Sequence, residues 1–221
     1  MTGSPIRVLL ADDQALVRSG FRMLIEAEDD MVVVGEASEG ATAVRLLSEH
    51  PCDVALMDIR MPVMDGVEAT RRIVKAGIDV RVLVLTTFDL DEYAFAALRA
   101  GASGFMLKDA RPDDLLNAIR NVAAGDAVMA PSTTRRLLDH VAPTLPTAPS
   151  GSDPRLEQLT DREREVLIEI AHGATNAEIA GTLYMAEGTV KTHIGRLLSK
   201  LQCRDRVGLV LLAHETGLVR H

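Results

Sequence analysis

The chain contains very little cysteine. Cys52 and Cys203 are the only two among 221 residues, and they lie far apart in the sequence. Neither has a Cys or His partner at the spacing that metal ligands require. With so few thiols we expect both to be reduced and neither to be catalytic. A metal site built on cysteine is therefore excluded.

Long apolar runs are also absent. No stretch of about 18 apolar residues is available to cross a membrane, and no charged segment followed by an apolar one forms a secretory leader. We expect no membrane insertion and a cytoplasmic location. The hydrophobic content of 47% is nevertheless enough for a sizeable core. The length lies between that of one domain and that of two.

The chain as a whole has no excess of positively charged residues, but its charge is unevenly distributed along the sequence. The net charge of −8 belongs to residues 1–130, whereas residues 131–221 carry 11 basic and 11 acidic side chains. Residues 188–206 form a local basic patch with a single acid, Asp205. Its basic members are Lys191, Arg196, Lys200, Arg204 and Arg206. The overall acidity therefore does not argue against nucleic-acid binding by the second half.

Carboxylates stand at the ends of two apolar strands. Asp12 and Asp13 follow the strand Ile6–Ala11, and Asp58 closes the apolar run that begins after Asp53. Parallel strands that end in acids bring those acids to one carboxyl edge, where open α/β sheets bind ligands. Clustered acids need a cation, and oxygen ligands suit Mg²⁺, which brings a phosphate to such a site. An aspartate there can attack phosphorus.

Two more predicted strands end in polar residues, a hydroxyl and an ammonium group, that face the same edge of the sheet as the acids. Val82–Leu85 runs into Thr86, and Gly104–Leu107 runs into Lys108. Amphipathic stretches alternate with the strands, which is the pattern of a parallel sheet. We predict one α/β doubly wound domain with a five-stranded parallel sheet. Its expected helices cover 14–27, a segment around Ala43 to Leu47, and the regions near 65–76, 91–100 and 112–124.

The alternation stops after Gly125. A short helix is predicted over 132–141, and residues 142–154 hold four prolines, which is typical of an extended linker. We therefore divide the chain into a first domain over 1–124, a connecting segment over 125–155 and a second domain over 156–221.

The second domain is predicted to be all helical. Thr160 with Glu163, and Thr175 with Glu178, have the spacing of capping boxes that begin helices. A third helix over 187–201 has an apolar face and an opposite face of small residues, and a fourth begins after Asp205. Two short helices and a tight turn with basic flanks favour a helix-turn-helix. The alternative is a plain four-helix bundle with solvated lysines.

The first domain resembles the receiver domain of two-component response regulators, which has a flavodoxin-like fold. Asp12, Asp13, Asp58, Thr86, Phe105 and Lys108 match it in order. The resemblance implies that Asp58 is the phosphoacceptor, that Thr86 and Phe105 form the switch, and that Lys108 contacts the phosphate. It also implies Mg²⁺ at Asp12, Asp13, Asp58 and the backbone carbonyl of Arg60. A lone aspartate at a strand end is more often a turn former or helix cap.

The second domain resembles the LuxR-type DNA-binding domain of the NarL/FixJ branch, through motifs that include Leu159-Thr160, Glu178-Ile179-Ala180 and Gly188 to His193. The resemblance implies that Lys191, Thr192 and Gly195 face base edges. Phosphate contacts are implied for Thr189, Lys200 and Arg204, and a dimer surface for Val207, Val210 and Leu211. Two residues depart from the family pattern. Gly195 replaces a longer polar side chain, and Ala186 replaces a Ser or Thr cap.

Together the resemblances imply a transcription regulator that is not an enzyme. A sensor histidine kinase would phosphorylate it, and it would then bind double-stranded DNA as a homodimer. Three alternatives differ from this interpretation. A haloacid-dehalogenase-type enzyme needs an acid or threonine where Arg60 stands, and a dinucleotide-binding protein needs G-x-G-x-x-G after the first strand. An atypical regulator that works without phosphorylation would not need the complete acid cluster.

Overall fold

The computed structural model describes residues 4–86, 92–124 and 153–219. The chain divides into two compact units, Met1–Val128 and Met129–His221. The helix predicted over 132–141, and the predicted linker up to Ser152, lie outside the described residues.

The first unit is built on a parallel sheet. Its strands are β1 (Ile6–Ala11), β2 (Met31–Ala37), β3 (Val54–Asp58), β4 (Arg81–Thr86) and β5 (Gly104–Leu107). They lie in the order β2-β1-β3-β4-β5, and every pairing is parallel. The chain thus moves outward from β1 to one edge and then from β3 to the other. This reversal between β1 and β3 is the point at which doubly wound sheets bind ligands, and the predicted fold is confirmed.

Five helices of the described residues belong to this unit. They are α1 (Ala15–Glu26), α2 (Gly40–Glu49), α3 (Gly66–Lys75), α4 (Glu92–Arg99) and α5 (Pro112–Ala123). Both faces of the central strands are buried, as expected for a parallel sheet covered on two sides. One part of the core joins alternate residues of β1, β3 and β4 to Leu115, Leu116 and Ile119 of α5. This packing fixes the strand ends that carry the polar residues.

The second unit is helical throughout its described part. Its helices are α6 (Pro154–Glu157), α7 (Asp161–Ala171), α8 (Asn176–Thr182), α9 (Glu187–Leu201) and α10 (Arg206–Glu215). Both predicted capping boxes are present, Thr160 with Glu163 and Thr175 with Glu178. Ala186 is the N-cap of α9 and supplies no side-chain hydrogen bond. None of the described helices has the length and apolar character that crossing a membrane requires.

The predicted connecting segment ends too late in the sequence. Pro154 begins α6, the side chain of Asp153 accepts a hydrogen bond from the Arg155 backbone N–H, and Leu156 is buried. Proline is well suited to the first helical position because its missing N–H would have no partner there. The last residues assigned to the linker are therefore part of the folded unit.

The predicted dimer surface needs a correction. Val207 and Val210 are 1% and 3% exposed, because the apolar face of α10 packs into the core of its own domain. Only Leu211 is half-buried. Val207 and Val210 are therefore unavailable to a second subunit in this conformation.

Candidate functional site

The three predicted acids meet at the carboxyl edge of the sheet. Asp12 and Asp13 follow β1, and Asp58 is the last residue of the adjacent strand β3. One carboxylate oxygen from each lies within 4.8 Å of the others. Asp12 and Asp58 are 2% and 5% exposed, whereas Asp13 is open to solvent. The strand topology therefore produces a pocket with two buried acids and one exposed acid.

Lys108 enters this pocket from the end of β5. Its Nζ lies 2.6 Å from Asp12 Oδ2 and 3.0 Å from Asp58 Oδ2. The Lys108 backbone N–H donates to the carbonyl oxygen of Thr86 at 2.8 Å, which continues the pairing of β4 with β5 beyond the last strand residue. One ammonium group is therefore shared between the two buried carboxylates.

Burial and charge act in opposite directions on the pocket. Burial raises the pKa of Asp58, and the nearby Asp12 charge adds to this rise, while Lys108 and a backbone hydrogen bond from Arg60 oppose it; the result is a raised pKa. Burial lowers the pKa of Lys108, but its hydrogen bonds to Asp12 and Asp58 outweigh burial and the pKa is raised. Lys108 is therefore a firmly held cation, and it leaves part of the negative charge uncompensated.

The donor set suits a small hard cation. Three carboxylates with a single ammonium keep a net negative charge, and carboxylate oxygens are the ligands through which proteins hold Mg²⁺. Asp12, Asp13 and Asp58 would hold such an ion here. The backbone carbonyl of Arg60, two residues beyond Asp58, stays a prediction as the fourth protein ligand.

Thr86 and Phe105 lie on the two strands beyond β3. Thr86 is the last residue of β4 and pairs in register with Leu107, and Phe105 pairs with Val84. Both are buried, at 5% and 7% exposure. The two residues predicted to form the switch therefore stand on neighbouring strands that lead toward the acid pocket.

Gly66 is a site residue to which the sequence patterns assign no role. Its backbone N–H donates to the Ile59 carbonyl oxygen at 2.9 Å, so the loop after Asp58 folds back on itself. A Cβ on Gly66 would lie 2.1 Å from the Asp58 carbonyl oxygen. Only glycine fits there. The signal in the sequence is limited to the start of α3, since Asp65 caps that helix by accepting from the Glu68 N–H.

Arg60 links the loop after Asp58 to α4. Its guanidinium carbon lies 5.6 Å from the centre of the Tyr93 ring, a cation–π distance. Both side chains are exposed. The contact joins the loop that follows the predicted phosphoacceptor to α4, a helix that packs against β4 and β5.

An apolar groove lies along α1 and shares Lys108 with the acid pocket. Its other lining residues are Val17, Gly20, Phe21, Met23, Leu24 and Ala27. Met23 is 75% exposed, and Leu16, one residue before Val17 on the same helix, is 87% exposed, which is unusual for large apolar side chains.

In the second unit α9 divides into a buried and an exposed face. Val190, Ile194, Leu197 and Leu201 are buried. The residues predicted to contact DNA from the opposite face are all exposed: Thr189, Lys191, Thr192 and Gly195. Lys200 and Arg204 differ, because both are half-buried and Lys200 forms an ion pair with Glu163. The structure therefore brings together four of the six predicted DNA contacts.

Each of the two units matches a known protein family. The family described as the response regulator receiver domain matches residues 8–120. The family described as bacterial regulatory proteins, luxR family, matches residues 157–213. The first match contains every predicted residue of the acid pocket, and the second contains α9.

Several relatives are similar to the chain over its whole length. The uncharacterized transcriptional regulatory protein YxjL of Bacillus subtilis is 41% identical over 220 residues, which is 100% of both chains. The nitrate/nitrite response regulator protein NarL of Escherichia coli K12 is 35% identical over 211 residues, 96% of each. The crystal structure of response regulator ChrA, from a heme-sensing two-component system, is 34% identical with a TM-score of 0.52. It covers 98% of this chain and 100% of its own. The chain therefore belongs to the NarL/FixJ-type response regulators, which join a receiver domain to a LuxR-type DNA-binding domain.

Proposed function

We propose that Asp58 is the phosphoacceptor of this regulator and that Mg²⁺ is bound by Asp12, Asp13, Asp58 and the Arg60 backbone carbonyl. The observation that carries the proposal is the sharing of the Lys108 ammonium between Asp12 and Asp58 within a cluster of three carboxylates. Asp58 is itself the group that is modified. The chain is accordingly a regulator and does not turn over a separate substrate.

The proposed reaction is phosphoryl transfer from a histidine. An Asp58 carboxylate oxygen forms a bond to phosphorus while the bond from phosphorus to the donor's imidazole nitrogen breaks. The electron pair of that bond returns to the imidazole, which then takes a proton. Mg²⁺, when bound, offsets the charge of the acids and of the phosphoryl oxygens. Lys108 can donate to a phosphoryl oxygen and still keep Asp12 as its second partner.

The groove beside α1 supports a sensor histidine kinase as the donor. A phosphohistidine must come close to Asp58, and the exposed apolar residues Leu16 and Met23 belong to the helix that follows the acids. Helices of a partner bind such grooves through regularly spaced apolar side chains. Lys108, which lines both the groove and the acid pocket, connects this surface to the reacting group.

Phosphorylation would act on DNA binding through the two strands beyond β3. The phosphoryl oxygens would draw the Thr86 hydroxyl and the Lys108 ammonium inward, and Phe105 on the neighbouring strand would repack. These charge-assisted bonds exist in only one state, so they shift the balance between two conformations. We propose that the favoured state is a homodimer that binds double-stranded DNA through α9. The location that fits this role is the cytoplasm.

The test uses the full chain with Mg²⁺ and a small-molecule phosphodonor. We expect intact-mass analysis to show one added phosphoryl group, lost in Asp58→Asn and when Mg²⁺ is omitted. Asp53→Asn is the matched control, because Asp53 precedes the same strand and its carboxylate bonds Arg7 instead. Undiminished phosphorylation of Asp58→Asn would refute the assignment.

The second measurement is protection of genomic DNA from the source organism, with and without the phosphodonor. We expect tighter binding and a dimer after phosphorylation. If the phosphorylated and unphosphorylated proteins bind equally well at the same salt concentration, the regulator works without phosphorylation.

A further inference from the structure

The ion pair between Lys200 and Glu163 connects the end of α9 to the start of α7. Lys200 Nζ lies 2.7 Å from Glu163 Oε2, and the Glu163 side chain is only 3% exposed. The same carboxylate closes the capping box by accepting from the Thr160 backbone N–H at 2.9 Å. Burial raises the pKa of Glu163, but the bonds from Lys200 and Thr160 outweigh burial and the pKa is lowered. Glu163 is therefore a buried carboxylate that depends on Lys200.

Gln158 strengthens the same connection. Lys200 Nζ also donates to the Gln158 carbonyl oxygen at 3.2 Å, and the Gln158 side-chain amide donates to the Lys200 carbonyl oxygen at 3.0 Å. The last turn of α9 is thus bonded in both directions to the segment that precedes α7.

A second member of the basic patch is engaged in the same way. One Nη of Arg206 donates to Asn176 Oδ1 at 2.8 Å, and the other donates to the Ala174 carbonyl oxygen. Ala174 and Asn176 lie at the beginning of α8. Arg206 therefore holds the first helix of the helix-turn-helix to α10.

Arg196 differs from these two residues. It is exposed and lies one turn after Thr192 and next to Gly195, which are exposed as well. Within the described part of the chain its guanidinium takes part in no ion pair or hydrogen bond. Its charge is therefore fully available to a ligand that approaches the exposed face of α9.

We infer that Arg196 contacts a DNA phosphate and that Lys200 and Arg206 are positioning residues that hold the helix-turn-helix together. The inference rests on the proposed DNA binding by α9. If Lys200 turned toward DNA, it would leave the Glu163 carboxylate buried and unpaired, which is strongly unfavourable. Arg196 loses no internal bond when it meets a phosphate, and arginine is well suited to phosphate oxygens.

The test measures how DNA affinity depends on salt. A mixed-sequence duplex of about 30 base pairs is titrated with the full chain, phosphorylated by the small-molecule phosphodonor in the presence of Mg²⁺, at several salt concentrations. Each phosphate contact adds about 0.9 to the slope of log K against log salt. We expect R196Q to lower the slope by about one unit. R45Q, which removes an exposed arginine from α2 of the receiver, is the matched control and should leave the slope unchanged.

The positioning role predicts a different pattern. K200M should leave the slope unchanged and weaken the amide hydrogen-exchange protection of α7 and α9, and E163Q should do the same although it removes no positive charge. K200R should keep the hydrogen-exchange protection of the unaltered chain, because arginine can bond the same Glu163 carboxylate. If K200M does not fold, K200R and E163Q still report on the pair.

The outcomes separate the possibilities. If the R196Q variant keeps the salt slope of the unaltered chain, Arg196 does not contact a phosphate. If folded K200M lowers that slope by one unit and E163Q keeps normal amide hydrogen-exchange protection, Lys200 is a phosphate contact and not a positioning residue. Either result would overturn the inference. If the phosphorylated, unaltered chain shows no salt-dependent binding to any duplex, the proposed DNA binding fails instead.

Discussion

The Gly66 backbone lies against the carbonyl group of Asp58, at a distance that leaves no room for a side chain. The loop after β3 is thereby folded back onto the strand that ends in Asp58, the proposed phosphoacceptor, and Gly66 is also the first residue of α3. The position of Asp58 and the start of α3 depend on the same close contact.

Gly66→Ala should consequently damage both stability and chemistry. A Cβ only 2.1 Å from the Asp58 carbonyl oxygen forces the backbone apart, and such overpacking costs about 1–3 kcal/mol. We expect a lower free energy of unfolding in urea and slower phosphorylation. Gly20→Ala in α1, where nothing lies within 4 Å of the added Cβ, should instead stabilise the receiver by about 0.5–1 kcal/mol.

Asp58→Asn should stabilise the receiver in the absence of Mg²⁺ at neutral pH. The folded state raises the pKa of Asp58, so it favours the uncharged form, and an amide mimics that form. A raised pKa makes the carboxylate unfavourable above the folded pKa, and this disadvantage disappears as the pH falls toward the unfolded value of about 3.9. The difference in free energy of unfolding between Asp58→Asn and the unaltered chain should therefore shrink as the pH falls, which urea unfolding at a series of pH values will measure. A difference that stays constant or grows would show that the raised pKa of Asp58 is not its cause.

Gly195→Ala should change stability and DNA binding in opposite directions. Gly195 lies in the interior of α9, and nothing lies within 4 Å of an added Cβ, so alanine should stabilise the helix by about 0.5–1 kcal/mol. If α9 approaches DNA closely at this position, the same methyl group should weaken binding. Thermal unfolding and duplex titration measure the two effects. Unchanged affinity would remove Gly195 from the predicted contacts with base edges.

Ala186→Ser should strengthen the start of α9. Ala186 is the N-cap and has no oxygen to accept a bond from the first-turn N–H groups, whereas serine gains about 0.5–2 kcal/mol at such positions. Hydrogen exchange of the α9 amides checks this in the full chain. Ala186→Val, whose side chain also lacks an oxygen and which is as poor an N-cap as alanine, is the control and should not give the same protection.

The acid pocket could be predicted from the sequence because the topology brings local patterns together. Each of Asp12, Asp58 and Lys108 follows an apolar strand, and the carboxyl ends of parallel strands meet at one edge whatever the details of packing. The parallel sheet and the positions of the helices follow from the same alternation.

Partners distant in the sequence could not be predicted in this way. The spacing that marks Val207 and Val210 as an apolar face does not say whether the face covers its own domain or another subunit. Lys200 lies 37 residues after Glu163, so the helical pattern shows that a charge is present at Lys200 but does not identify Glu163 as its ion-pair partner. The role of Gly66 could not be predicted either, because it depends on how closely its backbone approaches the Asp58 carbonyl oxygen.

The acid pocket also bears on the folding of the receiver itself. Its three carboxylates follow β1 and β3, the adjacent strands at the point where the sheet reverses direction, so their mutual repulsion acts on the middle of the sheet. A cation that binds only the folded pocket stabilises the domain in proportion to the logarithm of its concentration. If the proposed Mg²⁺ occupies this pocket, the magnesium concentration of the surroundings sets how long each molecule survives thermal unfolding and proteolysis. A molecule without magnesium would then be lost faster as well as left unphosphorylated.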